Sequence, residues 1–355
     1  MMNIGIIGLG HWGPNIVRNF VGHPRVNLKY VCDVLESSFK GVKGLLPKEC
    51  KCVTDASLVV NASDIDSVAI ITPASTHYDL VKKALLAGKH VFSEKPLALD
   101  EAKCEELCAI AKSSGCKLMV GYTFLFNNAV RKLKELIDSE KLGKLYYLTA
   151  MRTHMGLVRK DVSVAWDLAP HDVSIMNYLL NTVPEKVSAV SASPLGFDQA
   201  DIAFITLFYP GGIIGQIHVS WVDSNKERRV HVIGSKARAV FNDLNNLEPV
   251  RLFEKGICIS DSVEPDFGNF RFLLRDGDII SPKVDMREPV SQMSDAFVRL
   301  VLDNEENIVD GGFDLGVTRT LVAAHKSMQA GGIPQDINPD LALSKSVRRT
   351  NPRKS

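Results

Sequence analysis

The sequence has no apolar run of about 18 residues, so no transmembrane helix is expected. Its first residues lack a charged segment followed by a long apolar stretch and a small-residue cleavage site. They read instead as a strand, so no signal peptide is expected. An excess of either charge is also lacking: the net charge is +1, which argues against a nucleic-acid partner or an acidic membrane surface. The seven cysteines are an odd number without a C-x-x-C pair or neighbouring histidines. That excludes the usual zinc spacing and a disulfide framework, so no metal site is expected. Cys50 and Cys52 form C-x-C, and Cys104, Cys108 and Cys116 lie near a helix; these read as free thiols in a reducing cytoplasm. Internal repeats and low-complexity tracts are absent.

What is present is a chain of 355 residues, 45% of them hydrophobic, long enough for two domains with real cores. The first part alternates short apolar runs with helical patterns. NIGIIG (3–8), VNLKYVCD (26–33), SVAIITP (67–73), HVFSEKP (90–96) and KLMVGY (117–122) read as strands. Between them, a helix starts near Pro14, another covers THYDLVKKALLAG (76–88) with Thr76 as a candidate N-cap, and a third follows Asp100 and stops at Gly115. This alternation predicts an α/β fold with a doubly wound parallel sheet over residues 1–121. From residue 122 the pattern changes. Helices are predicted at 128–143 and 166–181, and strands follow one another at 185–192, 201–209, 213–221, 228–234 and 237–243, with PGG (210–212) as a turn. Helical patterns return at 290–303 and 313–329. Residues 122–334 are thus expected to form an α+β domain with an open, mainly antiparallel sheet. Residues 335–355 read as a polar, basic tail.

The stretch IIGLGHWGPN (6–15) places Gly8, Gly10 and Gly13 between a strand and a helix. Gly8 allows the tight turn, Gly10 lets a pyrophosphate approach the backbone, and Gly13 lets helix and strand pack closely. The helix N-terminus would supply amides and partial positive charge. Asp33 stands twenty positions after Gly13, at the end of the second strand. A carboxylate there accepts hydrogen bonds from ribose hydroxyls and repels a 2′-phosphate, and no Arg or Lys follows in DVLESS (33–38) to compensate. NAD is therefore favoured over NADP, with FAD as a third dinucleotide that uses the same fingerprint.

Two further stretches bear on chemistry. In SEKPLA (93–98), Lys95 ends a strand where open α/β sheets bind ligands; taken alone it reads better as a surface lysine before a proline. In WDLAPHD (166–172), Asp167 and His171 are four apart and share one helix face, as an acid/base pair or as a capping Asp with a core His.

Together, GLGHWG (8–13), Asp33, TPASTH (72–77), EKP (94–96) and the D-x-x-x-H of Asp167 and His171 resemble the glucose–fructose oxidoreductase/inositol dehydrogenase/MocA (Gfo/Idh/MocA) family from residue 3 to about 330. The resemblance implies a Rossmann domain, then an α/β domain whose open sheet makes homo-oligomer contacts. It also implies an NAD(P)-dependent oxidoreductase acting on the CH–OH group of a sugar, cyclitol or sugar derivative. By position, Lys95 matches the family's catalytic lysine, His171 its acid/base histidine and Asp167 an acid that helps place substrate. Thr72, Pro73, Ser75, His77 and Glu94 join the cofactor set, and His11 and Trp12 would touch phosphate or shield the cofactor, with packing as the alternative for Trp12.

The loop before the histidine motif carries Arg152, Arg159 and Lys160. Arginines suit carboxylate or phosphate oxygens, which favours a nucleotide sugar or sugar acid; an ordinary charged surface loop is the alternative. Tyr122, Asn127 and Trp221 are further substrate candidates, each also explicable by packing. GHWGPN and WDLAPHD look most like members that oxidise C3 of UDP-N-acetylglucosamine or its uronic acid. The alternatives are a dehydrogenase of a free cyclitol or sugar, and a non-catalytic NAD-binding regulator.

Overall fold

The computed structural model describes residues 1–156, 158–159, 162–259 and 272–337. Lys160 and most of the basic tail lie outside the described residues. The chain divides into two compact units. One holds Met1–Phe126 with Arg287–Arg319; the other holds Asn127–Met286 with residues 320–337. Residues 287–319, expected in the second domain, therefore belong with the first. Reading elements in sequential order cannot show a chain that returns to an earlier unit.

The first unit is built from β1 (Met2–Ile7), α1 (Gly13–Val21), β2 (Val26–Cys32), β3 (Lys51–Val53), α2 (Ala56–Val60), β4 (Ser67–Ile70), α3 (Ala74–Leu86), β5 (His90–Ser93), α4 (Glu101–Ser114) and β6 (Leu118–Val120). The six strands pair in parallel in the order β3-β2-β1-β4-β5-β6. β4 is buried along its whole length, as a parallel strand covered on both faces must be. The strand order reverses beside β1, so the loops after β1, β4 and β5 gather at the carboxyl ends where such sheets bind ligands. Asp100 caps α4 through the Lys103 amide (3.0 Å), and Gly115 ends it at φ +67°. α3 begins earlier than expected, with Pro73 rather than Thr76 at its N-cap. The Thr76 hydroxyl donates to the Pro73 carbonyl instead.

The second unit contains α5 (Asn128–Asp138), β7 (Leu145–Met155), α6 (Val164–Leu180), β8 (Lys186–Ala192), β9 (Ile202–Tyr209), β10 (Ile213–Ser220), β11 (Val222–Gly234), β12 (Arg238–Asn242), β13 (Val250–Phe253), the hairpin of β14 (Gly256–Ile259) and β15 (Phe272–Arg275), and β16 (Ile279–Ile280). The chain continues through α7 (Pro289–Leu302) and α8 (Gly311–Gln329) to β17 (Gln335–Asp336). α7 and the first half of α8 belong to the first unit, where Phe297 of α7 closes an edge-to-face cluster with Phe20 and Phe92.

Nine strands form the second unit's sheet in the order β16-β13-β12-β11-β7-β10-β9-β8-β17. Among the described residues only the β7–β10 pair of this sheet is parallel, so the sheet is mainly antiparallel, as expected. One face packs on α6 and α5. The other leaves Tyr147, Met151, Val190, Phe204 and Ile214 exposed. No helix among the described residues is long and apolar enough to cross a membrane.

Candidate active site

The glycine loop of the first unit has the geometry its sequence requires. Gly8 sits at φ +99°, and a Cβ there would lie 2.6 Å from the Ile71 carbonyl atoms. A Cβ on Gly13 would press on the Gly8 oxygen at 2.6 Å, so glycine is what lets α1 start so close to β1. At Gly10 a Cβ would meet nothing within 4 Å, so that side of the loop is open for approach. The Asp33 carboxylate fastens the loop: one oxygen accepts the Leu9 amide at 2.7 Å and the other the Leu35 amide at 2.9 Å. Asp33 remains partly exposed, and each oxygen keeps a lone pair suited to a ribose hydroxyl. The glycine loop and the Asp33 carboxylate together fit a dinucleotide. His11 and Trp12 are exposed on it, with their rings edge to face at 6.2 Å. Trp12 is therefore not a core residue.

After β4, Ser75 lies at the surface near the start of α3 and Thr72 is half-buried, its hydroxyl 2.7 Å from that of Thr76. His77 does not join them. It is 1% exposed, its Nδ1 stands 2.7 Å from the Pro96 carbonyl oxygen, and its Nε2 stands 2.8 Å from the Thr72 oxygen. It lies one turn into α3 on the inward side, so it ties two loops together instead of facing a cofactor.

Lys95 follows β5 and is half-buried. Beside it, Glu94 turns its carboxylate back on its own loop, accepting the Lys95 amide at 3.3 Å. Burial pushes the Glu94 carboxyl up to about 7, against the opposing pull of the Lys95 charge. Gly121 makes room for it: a Cβ there would stand 3.0 Å from Glu94 Oε1. Neither Gly121 nor the buried Asp314 of α8, described below, was picked out by sequence reasoning. An acid within the otherwise apolar run FDLGV (313–317) is the signal that marks Asp314.

In the second unit, α6 carries Asp167 and His171 on one face. The helix includes Pro170, which has no N–H and gives up the bond to the Trp166 carbonyl. Asp167 pairs with Arg159 (Nη1 to Oδ1, 3.3 Å), and the Arg159 side chain is 35% exposed. Arg159, Asp167 and His171 thus form a partly open cationic, anionic and imidazole set.

Four other expected substrate residues are placed differently. Arg152 lies on the face of β7 that packs against α6, and both its Nε and Nη2 donate to Asp172, at 2.9 and 2.8 Å. Both side chains are 5% exposed or less, so this arginine braces the helix. Tyr122 is 1% exposed and donates to Asp314 at 2.7 Å. Trp221, 2% exposed, fills the core beyond the end of β10. Asn127 is the N-cap of α5, accepting the Ala129 amide at 2.9 Å.

Residues 2–122 match the family described as oxidoreductase family, NAD-binding Rossmann fold, and residues 130–240 match the GFO/IDH/MocA C-terminal domain. The chain is 26% identical over 266 residues to the myo-inositol 2-dehydrogenase of Thermotoga maritima, covering 72% of this chain and 79% of that one. It is also 26% identical over 246 residues to the UDP-N-acetylglucosamine 3-dehydrogenase of Acidithiobacillus ferrooxidans, covering 69% and 75%. The crystal structure of GenD2 from gentamicin A biosynthesis, in complex with NAD, shares the fold with a TM-score of 0.79 at 21% identity, over 95% of this chain and 96% of that one.

Proposed function

The chain belongs to the GFO/IDH/MocA family of NAD-binding oxidoreductases acting on CH–OH groups, and on that premise we propose that its substrate is a UDP-linked N-acetyl amino sugar, oxidised at C3. The observation that carries this reading is the Arg159–Asp167 pair on the partly open face of α6. A guanidinium there suits a diphosphate or uronate oxygen, and a carboxylate suits a sugar hydroxyl.

NAD, when bound, supplies the hydride acceptor. The remaining work falls to the chain. Gly8, Gly10 and Gly13 cradle the pyrophosphate, Asp33 holds the adenosine ribose, and Thr72, Pro73, Ser75 and Glu94 border the rest of the dinucleotide, with His11 and Trp12 covering it. Lys95 and His171 handle the substrate proton. One removes it from the C3 hydroxyl oxygen as the C–H electron pair leaves carbon, and the ammonium of Lys95 stabilises the developing carbonyl oxygen. Asp167 holds the sugar. In reverse, the same groups reduce the ketone.

A second reading is a free cyclitol as substrate. The burial of Arg152 against Asp172 favours it, because that arginine is engaged within the protein. The inositol dehydrogenase relative, equally similar in identity, points the same way. The test is NADH formation with UDP-N-acetylglucosamine, its uronic acid, UDP-glucose, myo-inositol and glucose, using wild type and Arg159→Ala. Turnover of a UDP sugar that Arg159→Ala weakens through KM supports the nucleotide-sugar reading. Turnover of myo-inositol alone, unchanged in the variant, replaces it with the cyclitol reading.

The exposed sheet face is proposed to cover itself with a second copy of the chain. Val190, Phe204, His218 and Met151 form one cross-strand row, and Ile214 and Tyr147 pair in another. Phe204 and His218 stack at 4.4 Å. Such a contiguous apolar surface is the kind that proteins bury in an interface.

A further inference from the structure

The loop that carries Lys95 is held from beneath by two buried groups that the proposed reaction does not use. His77 reaches the Pro96 carbonyl oxygen at 2.7 Å. Asp314, near the start of α8, reaches the next residue, accepting the Leu97 amide on Oδ1 at 3.3 Å. The same oxygen accepts the Tyr122 hydroxyl at 2.7 Å. Its other oxygen accepts the Thr318 hydroxyl at 3.3 Å and the Cys104 thiol at 3.6 Å.

Asp314 is fully buried, and burial pushes its carboxyl up to about 6. An acid in such a place is costly, and a well-packed apolar side chain commonly serves stability as well or better. What an apolar side chain cannot do is hold a backbone amide. The amide held here belongs to the second residue after Lys95. The Lys95 side chain is long and flexible, so where its ammonium falls depends on where its backbone is held. Two consecutive residues after Lys95 are fixed, one by its carbonyl and one by its amide.

We infer that Asp314 is a positioning residue for Lys95, acting through the Leu97 amide, with His77 as the matching clamp on the Pro96 carbonyl. This rests on the proposed role of Lys95, and the experiment separates the two. The full-length protein is treated with trace acetic anhydride, and acetylation of Lys95 is read by mass spectrometry relative to Lys89. The Lys89 ammonium donates to the Ala62 and Ile65 carbonyls and serves as an internal reference. No substrate is needed for this readout.

In Asp314→Ala the Lys95-to-Lys89 ratio is expected to change about threefold or more. With UDP-N-acetylglucosamine or myo-inositol, whichever is turned over, kcat should fall about 10- to 100-fold while KM moves little, the scale of a displaced catalytic group. Asp314→Asn, whose side-chain oxygen still accepts the Leu97 amide, should recover most of both. Cys104→Ala removes a thiol from the far oxygen of Asp314, with its longer contacts of 3.9 Å to the Ala98 carbonyl and 3.8 Å to Thr318, but leaves the Leu97 amide on its acceptor, so it should leave both near wild type. A wild-type ratio and kcat in Asp314→Ala overturns the inference, as does an equal effect from Cys104→Ala. Should Asp314→Ala fail to fold, His77→Ala carries the test: a shifted ratio supports the clamp and an unshifted one overturns it. If Lys95→Ala retains full turnover, the role of Lys95 fails, while the acetylation ratio still reports on the clamp.

Discussion

Arg152 grips Asp172 with two hydrogen bonds of 2.9 and 2.8 Å in a nearly dry setting, one residue from His171. The pair joins β7 to α6, so the orientation of the proposed acid/base face depends on it. Removing one partner leaves an uncompensated buried charge. Arg152→Ala is expected to lose about 3–5 kcal/mol of stability by urea denaturation. Unchanged stability with a raised KM would return Arg152 to the substrate.

The glycine loop gives a contrast within five residues. Gly13→Ala pushes a methyl group to 2.6 Å from the Gly8 oxygen and should cost about 1–3 kcal/mol. Gly10→Ala meets no protein atom, so stability should change by only about 0.5 kcal/mol. It should nevertheless weaken NAD binding, measured by fluorescence titration of the exposed Trp12. Equal effects of the two substitutions on stability and on NAD binding would contradict the assigned roles.

Glu94 makes stability depend on pH. Its carboxyl rises from 4.5 to about 7 in the folded state, so the folded protein holds that proton more tightly than the unfolded chain does. Below 4.5 both states carry it and nothing is lost. As pH rises from 4.5 to 7 the unfolded chain ionises first, and stability falls until the full penalty stands above 7. Denaturation of wild type against Glu94→Gln should show wild type losing ground across that window. A constant difference between them would contradict the assignment.

The row through Val190, Phe204, His218 and Met151 predicts self-association. Light scattering should give a mass above that of one chain, and Phe204→Glu with Met151→Glu should lower it. A monomeric wild type would exclude the proposed interface.

The fold was largely legible because its signals are local. Strand–helix alternation, the capping Asp100 and the glycine at 115 each depend on near neighbours. Gly8, Gly13 and Asp33 were legible too, since one loop and one strand end bring them together. The misplacements come from tertiary contacts with no sequence spacing. Arg152 reads as a loop cation until β7 turns it toward Asp172, and Tyr122 reads as a sugar platform until Asp314 arrives from nearly two hundred residues away. His77 sits in a motif whose loop reaches the surface, yet helical geometry turns this one position inward.

The central claim is tested most directly by UDP-N-acetylglucosamine deuterated at C3, incubated with NAD and either wild type or Lys95→Ala, with the nicotinamide recovered from denatured protein so that tightly held cofactor is counted. The account predicts deuterium in the reduced nicotinamide of wild type, and a rate about 10²- to 10⁴-fold lower in Lys95→Ala, the usual scale for losing a proton-transfer group. Deuterium that stays on the sugar, or a variant as fast as wild type, would contradict it.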